Sequence, residues 1–102
     1  MHIDNGTMIL LKQAQHLEEV KTPERLTDRE LSRAIRDAIM AEEGAIKQYE
    51  AIVDAASDEK IREVLQDIAN EERVHVGELQ ALLNGMLPDE EKFLEEGAKE
   101  VE

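Results

Sequence analysis

The 102-residue chain has no cysteine and no tryptophan, a single tyrosine, a single phenylalanine and two prolines. Without thiols there can be no disulfide, no thiolate catalysis and no cysteine-held zinc or iron–sulfur centre. Aromatics make up 2% of the chain against 41% hydrophobic residues, so a core must be built from Leu, Ile, Val and Ala. No apolar run approaches the roughly 20 residues of a membrane span and no signal peptide is recognisable, so the expectation is a soluble cytoplasmic protein. Positive charge is scarce too: 12 Lys and Arg stand against 25 Asp and Glu, a net charge of -13. Such a chain repels phosphate, which argues against nucleic acid and anionic membranes as partners and favours cations. Strand signals, internal repeats and low-complexity segments are absent. The length suggests one small domain, too short to shield a large core alone, so oligomerisation is expected.

What is present is helical periodicity. Residues 1–26 read as an N-terminal arm, or as a short amphipathic helix around Met8-Ile9-Leu10-Leu11 with Leu17 and Val20. Thr22-Pro23 favours a break, because the residue before proline avoids the α region. Residues 27–86 read as a helical hairpin. Thr27-Asp28-Arg29-Glu30 is a capping box that starts the first helix. Apolar positions then recur from Leu31 to Ala56, with a gap between Ile39 and Ala45 that Glu42 fills. Ser57 or Asp58 caps a second helix whose stripe is Ile61, Val64, Leu65, Ile68, Val76, Leu79, Leu82 and Leu83. Asn84-Gly85 is the expected stop. Residues 87–102 read as a third, short helix starting at Pro88, with Phe93 and Leu94 as its docking residues and Gly97 weakening its end.

The second stripe is interrupted where a Leu would be expected. Glu72 and His75, three residues apart, share one face a turn apart, and a carboxylate there is costly unless it is paired or binds a metal. Glu71, four before His75, is a rival that spacing alone does not eliminate. Glu42 lies fifteen residues before Ser57 and Glu72 fifteen after it. At about 1.5 Å per residue both sit roughly 22 Å from the turn of an antiparallel hairpin, so Glu42, Glu72 and His75 should converge. Carboxylate-bridged two-metal sites in four-helix bundles use one Glu from each of two helices and a Glu-x-x-His from each of the other two. One hairpin holds half that set, so a homodimer would complete the metal site. Oxygen and imidazole donors suit iron or manganese. Taken one at a time, each residue reads as an ordinary buried ion pair or cap.

The segments Glu42-Glu43-Gly44-Ala45-Ile46-Lys47-Gln48-Tyr49 and Asn70-Glu71-Glu72-Arg73-Val74-His75, with His75-Val76-Gly77-Glu78-Leu79-Gln80-Ala81-Leu82-Leu83, resemble the rubrerythrin and ferritin-like superfamily. A single copy of each motif in a short chain is most similar to the encapsulated ferritins. That resemblance, over roughly residues 28–85, implies an all-α hairpin that dimerises into a ferritin-like four-helix bundle. It implies a ferroxidase in which Glu42, Glu72 and His75 of two subunits hold a pair of Fe ions, with Tyr49 orienting a ligand carboxylate. It favours Glu72 over Glu71. It also implies homodimers assembling into an open ring, such as a decamer, inside an encapsulin nanocompartment. Two departures stand out. Ala41 and Gly44 replace the extra uptake carboxylates of some members, and Ala98-Lys99-Glu100-Val101-Glu102 is not the family's shell-docking tail. The latter suggests a domain of a longer chain, a shell fusion or an unencapsulated form. The alternatives are a rubrerythrin-like peroxidase, which needs an external electron donor in a chain without cysteine, and a metal-free structural dimer.

Overall fold

The computed structural model describes residues 25–102, which form three helices: α1 (Asp28–Ala55), α2 (Glu59–Met86) and α3 (Glu90–Val101). The arm or short helix expected for residues 1–26 lies almost entirely outside the described residues. α1 starts as the capping box predicts. The Thr27 side chain accepts from the Glu30 amide at 3.1 Å, and the Glu30 carboxylate accepts from the Thr27 amide at 3.0 Å. These bonds hold the Glu30 carboxyl below its ordinary range. Asp58 caps α2 by accepting from the Ile61 amide at 3.0 Å.

Two expectations about the far end of the hairpin fail. α2 does not stop at Asn84-Gly85; it runs on to Met86, and no described glycine has a positive φ. Proline is the terminator instead: Leu87, ahead of Pro88, is pushed to an extended conformation at φ -116 and ψ 106. Pro88 itself lies in a turn, so α3 begins at Glu90 and continues through Gly97 to Val101.

α1 and α2 pack side by side as an antiparallel pair, while α3 meets the hairpin only at its first turn. Phe93 is 64% exposed and Leu94 48%, so neither docks α3 onto its own hairpin as expected. A carboxylate does that work. Glu90 accepts two hydrogen bonds from Arg36 of α1, at 2.8 and 3.2 Å, and also faces Gln80 of α2. A planar guanidinium matches a carboxylate fork, which makes this a directional pin. Arg36 holds the Glu90 carboxyl below its ordinary range, and Glu90 raises the Arg36 guanidinium in turn.

The protomer buries little. Ile46, Val53, Ala69 and Leu83 are its buried apolar residues among those described, all on the seam between α1 and α2. Leu31, Ile52, Ile61, Val64 and Leu82 remain 40–56% exposed. Two helices cover only one stripe of each other, so a hairpin with wide apolar faces has a second layer still to find.

Candidate metal centre

Glu42, Glu72 and His75 meet as the spacing predicts. One ligand atom from each lies within 4.8 Å of the other two. His75 Nδ1 is 3.2 Å from Glu42 Oε2 and 3.5 Å from Glu72 Oε2. The cause is local: α1 ends at Ala55 and α2, capped by Asp58, begins at Glu59, so across a three-residue turn equal counts along each helix bring the two carboxylates to one height. Glu71 is exposed and stands outside the cluster, whereas Glu72 is part of it.

The geometry suits an ion. Donors about 2.1 Å from a metal lie about 3 Å apart at right angles and about 4.2 Å apart when opposed, and the two separations from His75, 3.2 and 3.5 Å, fall in that range. No lysine or arginine pairs with either carboxylate among the described residues. Three donors would leave a six-coordinate ion half-satisfied, and the His75 side chain is 51% exposed. Tyr49 is half-buried seven residues after Glu42, on the same face and two turns nearer the hairpin turn.

The apolar residues left exposed form a frame around this cluster. Leu31 and Ile52 lie eleven residues before and ten after Glu42; Ile61 and Leu82 stand in the same relation to Glu72. At about 100° per residue all four fall on the flank that carries the ligands. Because the helices are antiparallel, Leu31 and Leu82 close one end of the frame, and Ile52 and Ile61 the other. The same spacing in both helices is an internal echo that the sequence reading overlooked.

It also missed a second polar cluster, on the opposite flank. Arg73 of α2 donates to Glu50 of α1 at 2.6 Å and to Asn70 at 3.0 Å, while Gln66 reaches Glu50 at 3.4 Å and Asn70 at 3.2 Å. Arg73 is the first cause, and Gln66 the second, of a Glu50 carboxyl held below its ordinary range. Gln66, Asn70 and Arg73 recur at four and three residues, so a shared face was readable, though not its partner on α1.

A family model described as rubrerythrin matches residues 5–102. The chain belongs to the rubrerythrin family. Among its relatives is a ferritin-like–encapsulin shell fusion protein of Pyrococcus furiosus, 43% identical over 75 residues, which are 74% of this chain and 22% of that protein. Another is the encapsulin nanocompartment cargo protein EncC of Myxococcus xanthus, 35% identical over 77 residues, or 76% of this chain and 59% of that one. The chain thus spans less than two thirds of either. The crystal structure of the encapsulated ferritin domain from Pyrococcus furiosus superposes with a TM-score of 0.76 at 40% identity, covering 79% of this chain and 83% of that one. This member of the rubrerythrin family therefore has the ferritin-like helical fold that the resemblance of its motifs implied. No helix among its described residues is long and apolar enough to cross a membrane.

Proposed function

We propose that this chain is a ferroxidase domain whose two-iron site is assembled from two copies. Fe(II) is the substrate: Glu42, Glu72 and His75 of each copy bind it, dioxygen accepts its electrons, and Fe(III) is passed on for storage. The observation that carries this reading is the position of the three donors at the centre of the apolar frame. A second copy laid on that frame across a two-fold axis removes the frame from water and brings its own three donors to the first set. The joint set is four carboxylates and two imidazoles, the pattern of carboxylate-bridged bundles. A shallow groove of about 310 Å³ between Lys60, Ile61, Val64 and Leu65 lies on the same flank and would be filled by the partner.

The chain's own residues then have separate tasks. The carboxylates bind and bridge the cations, and their negative charge favours the trivalent product. The His75 imidazole adds a neutral donor. Tyr49 orients a ligand carboxylate through its hydroxyl. The apolar frame excludes bulk water from the seam, which strengthens the electrostatic hold on the ions. By likeness to the Pyrococcus and Myxococcus proteins, the domain works inside an encapsulin compartment, as cargo or joined to the shell.

The test is a rapid-mixing experiment following Fe(II) oxidation and dioxygen consumption together. Wild-type protein should consume both in a fixed ratio, and Glu72→Ala/His75→Ala should fall to the rate of free iron in buffer while keeping its helix content. A double variant as fast as wild type would overturn the proposal. So would iron oxidised only when peroxide and a reductase are supplied.

A further inference from the structure

Glu42 and Glu72 share one imidazole, so without metal their charges push α1 and α2 apart. What resists that push differs on the two sides of the site. Toward Ser57 the helices are joined by the turn, and Ile46, Val53 and Ala69, three of the four buried apolar residues among those described, lie on that side. Toward the open end no turn joins α1 to α2, and Leu83 is the remaining buried apolar residue. A polar clasp sits there instead. Glu90 is the one residue of α3 that is not exposed, and its side chain is only 16% exposed. It accepts two hydrogen bonds from Arg36 of α1, at 2.8 and 3.2 Å, and one from Gln80 of α2. Gln80 is itself held by Asn84, to which it donates at 3.1 Å. The Glu90 amide donates to the Leu87 carbonyl at 3.1 Å, which fixes it to the end of α2. Arg36 is six residues from Glu42 and Gln80 five from His75, so the clasp ties both ligand-bearing helices about 9 Å beyond Glu42.

We propose that Glu90 is a positioning residue for the metal site: by tying Arg36 to Gln80 it holds the open end of the hairpin closed and keeps Glu42 within reach of Glu72 and His75. The inference rests on the reading of those three side chains as metal ligands. Without the clasp the two carboxylates spread the open end, and only a fraction of the chains holds the three donors together. Apparent affinity for a cation then falls by that fraction. Leu83 still packs the open end, so the hairpin stays folded. The Arg73–Glu50 pair has no such leverage, because Glu50 lies on the side where the turn already sets the helix separation.

Two measurements on the full chain test this, one with metal and one without. Co(II) is the probe for the first, since its visible absorption reports coordination. Glu90→Ala and Arg36→Ala should each raise its dissociation constant about tenfold, as for a competent population of about one in ten, with the number of ions at saturation unchanged. The exchange Arg36→Glu/Glu90→Arg rebuilds the pair with its signs swapped and should recover the affinity. The second measurement reads the helices directly. The chain has no cysteine, so spin labels attach only where one is introduced. Arg33→Cys and Ala81→Cys place them at exposed positions of α1 and α2 near the open end. Double electron–electron resonance on metal-free protein, diluted with excess unlabelled chain, should give one narrow distance. Adding Glu90→Ala should make it longer and broader, and the exchange should narrow it again. An unchanged distance in Glu90→Ala would overturn the proposal, and so would an unchanged Co(II) affinity. A wild type that takes up no Co(II) would overturn the ligand assignment itself, and the positioning role with it.

Discussion

The two flanks of the hairpin carry polar clusters of similar size and opposite character. On one, Glu50 is met by Arg73 and flanked by Gln66 and Asn70, so its charge is compensated within the protomer. On the other, Glu42 and Glu72 share a single imidazole and no Lys or Arg among the described residues. The first cluster fastens α1 to α2. The second concentrates negative charge at the middle of an apolar face, an arrangement that is unfavourable for folding and useful for binding a cation. A carboxylate supplied with its own cation fastens the fold, and one left without is free to take a cation.

The largest effect that would break this contrast is on metal. Glu72→Ala and His75→Ala should each abolish tight Fe(II) binding measured by calorimetry under anaerobic conditions, while Arg73→Ala leaves it intact. Loss of binding in Arg73→Ala, with fold preserved, would erase the distinction between the flanks.

The next effect is on the metal-free protein. Glu72→Leu should raise the thermal midpoint, because it removes one of two facing carboxylates and extends the apolar stripe. Arg73→Leu should lower it by stranding Glu50. Midpoints moving in the same direction would contradict the account.

Acid sharpens the comparison further. Glu50 and Glu90 both titrate below the ordinary carboxylate range, held there by Arg73 and Arg36. A depressed folded pKa stabilises the fold fully above the unfolded value of about 4.3, and that contribution is lost as pH falls through the lower folded value. Wild-type protein should therefore lose stability more steeply below about pH 4.3 than Glu50→Gln/Glu90→Gln does. Parallel curves in denaturant titrations at several pH values would remove the two clamps from the explanation.

The smallest effect is at Gly77 in the middle of α2, where an added methyl group meets nothing within 4 Å. Gly77→Ala should stabilise the chain by about 0.5–1 kcal/mol through helix propensity alone, without touching iron binding.

These residues also show what could be read from sequence and what could not. The helix starts were legible because Thr27 and Asp58 act on amides three positions away, and such short-range chemistry is written in the sequence. The meeting of Glu42 with Glu72 and His75 was legible because a tight turn converts residue number into height. The end of α2 was misread: Gly85 looked like a stop, but its helical neighbours held it until Pro88 forced Leu87 out of register. The role of Phe93 and Leu94 was misread because an amphipathic pattern says that a face will be covered, not by which chain. The pairs Arg36–Glu90 and Arg73–Glu50 were invisible, since in sequence Arg36 and Arg73 look like any other solvent-facing charges.

The central claim is that each copy holds half of a two-iron site. Anaerobic Fe(II) titration followed by native mass spectrometry tests it most directly. The account predicts that iron appears only on dimers and larger species, in steps ending at two per dimer, with monomer peaks free of metal. Monomers that bind iron as tightly as dimers would contradict it.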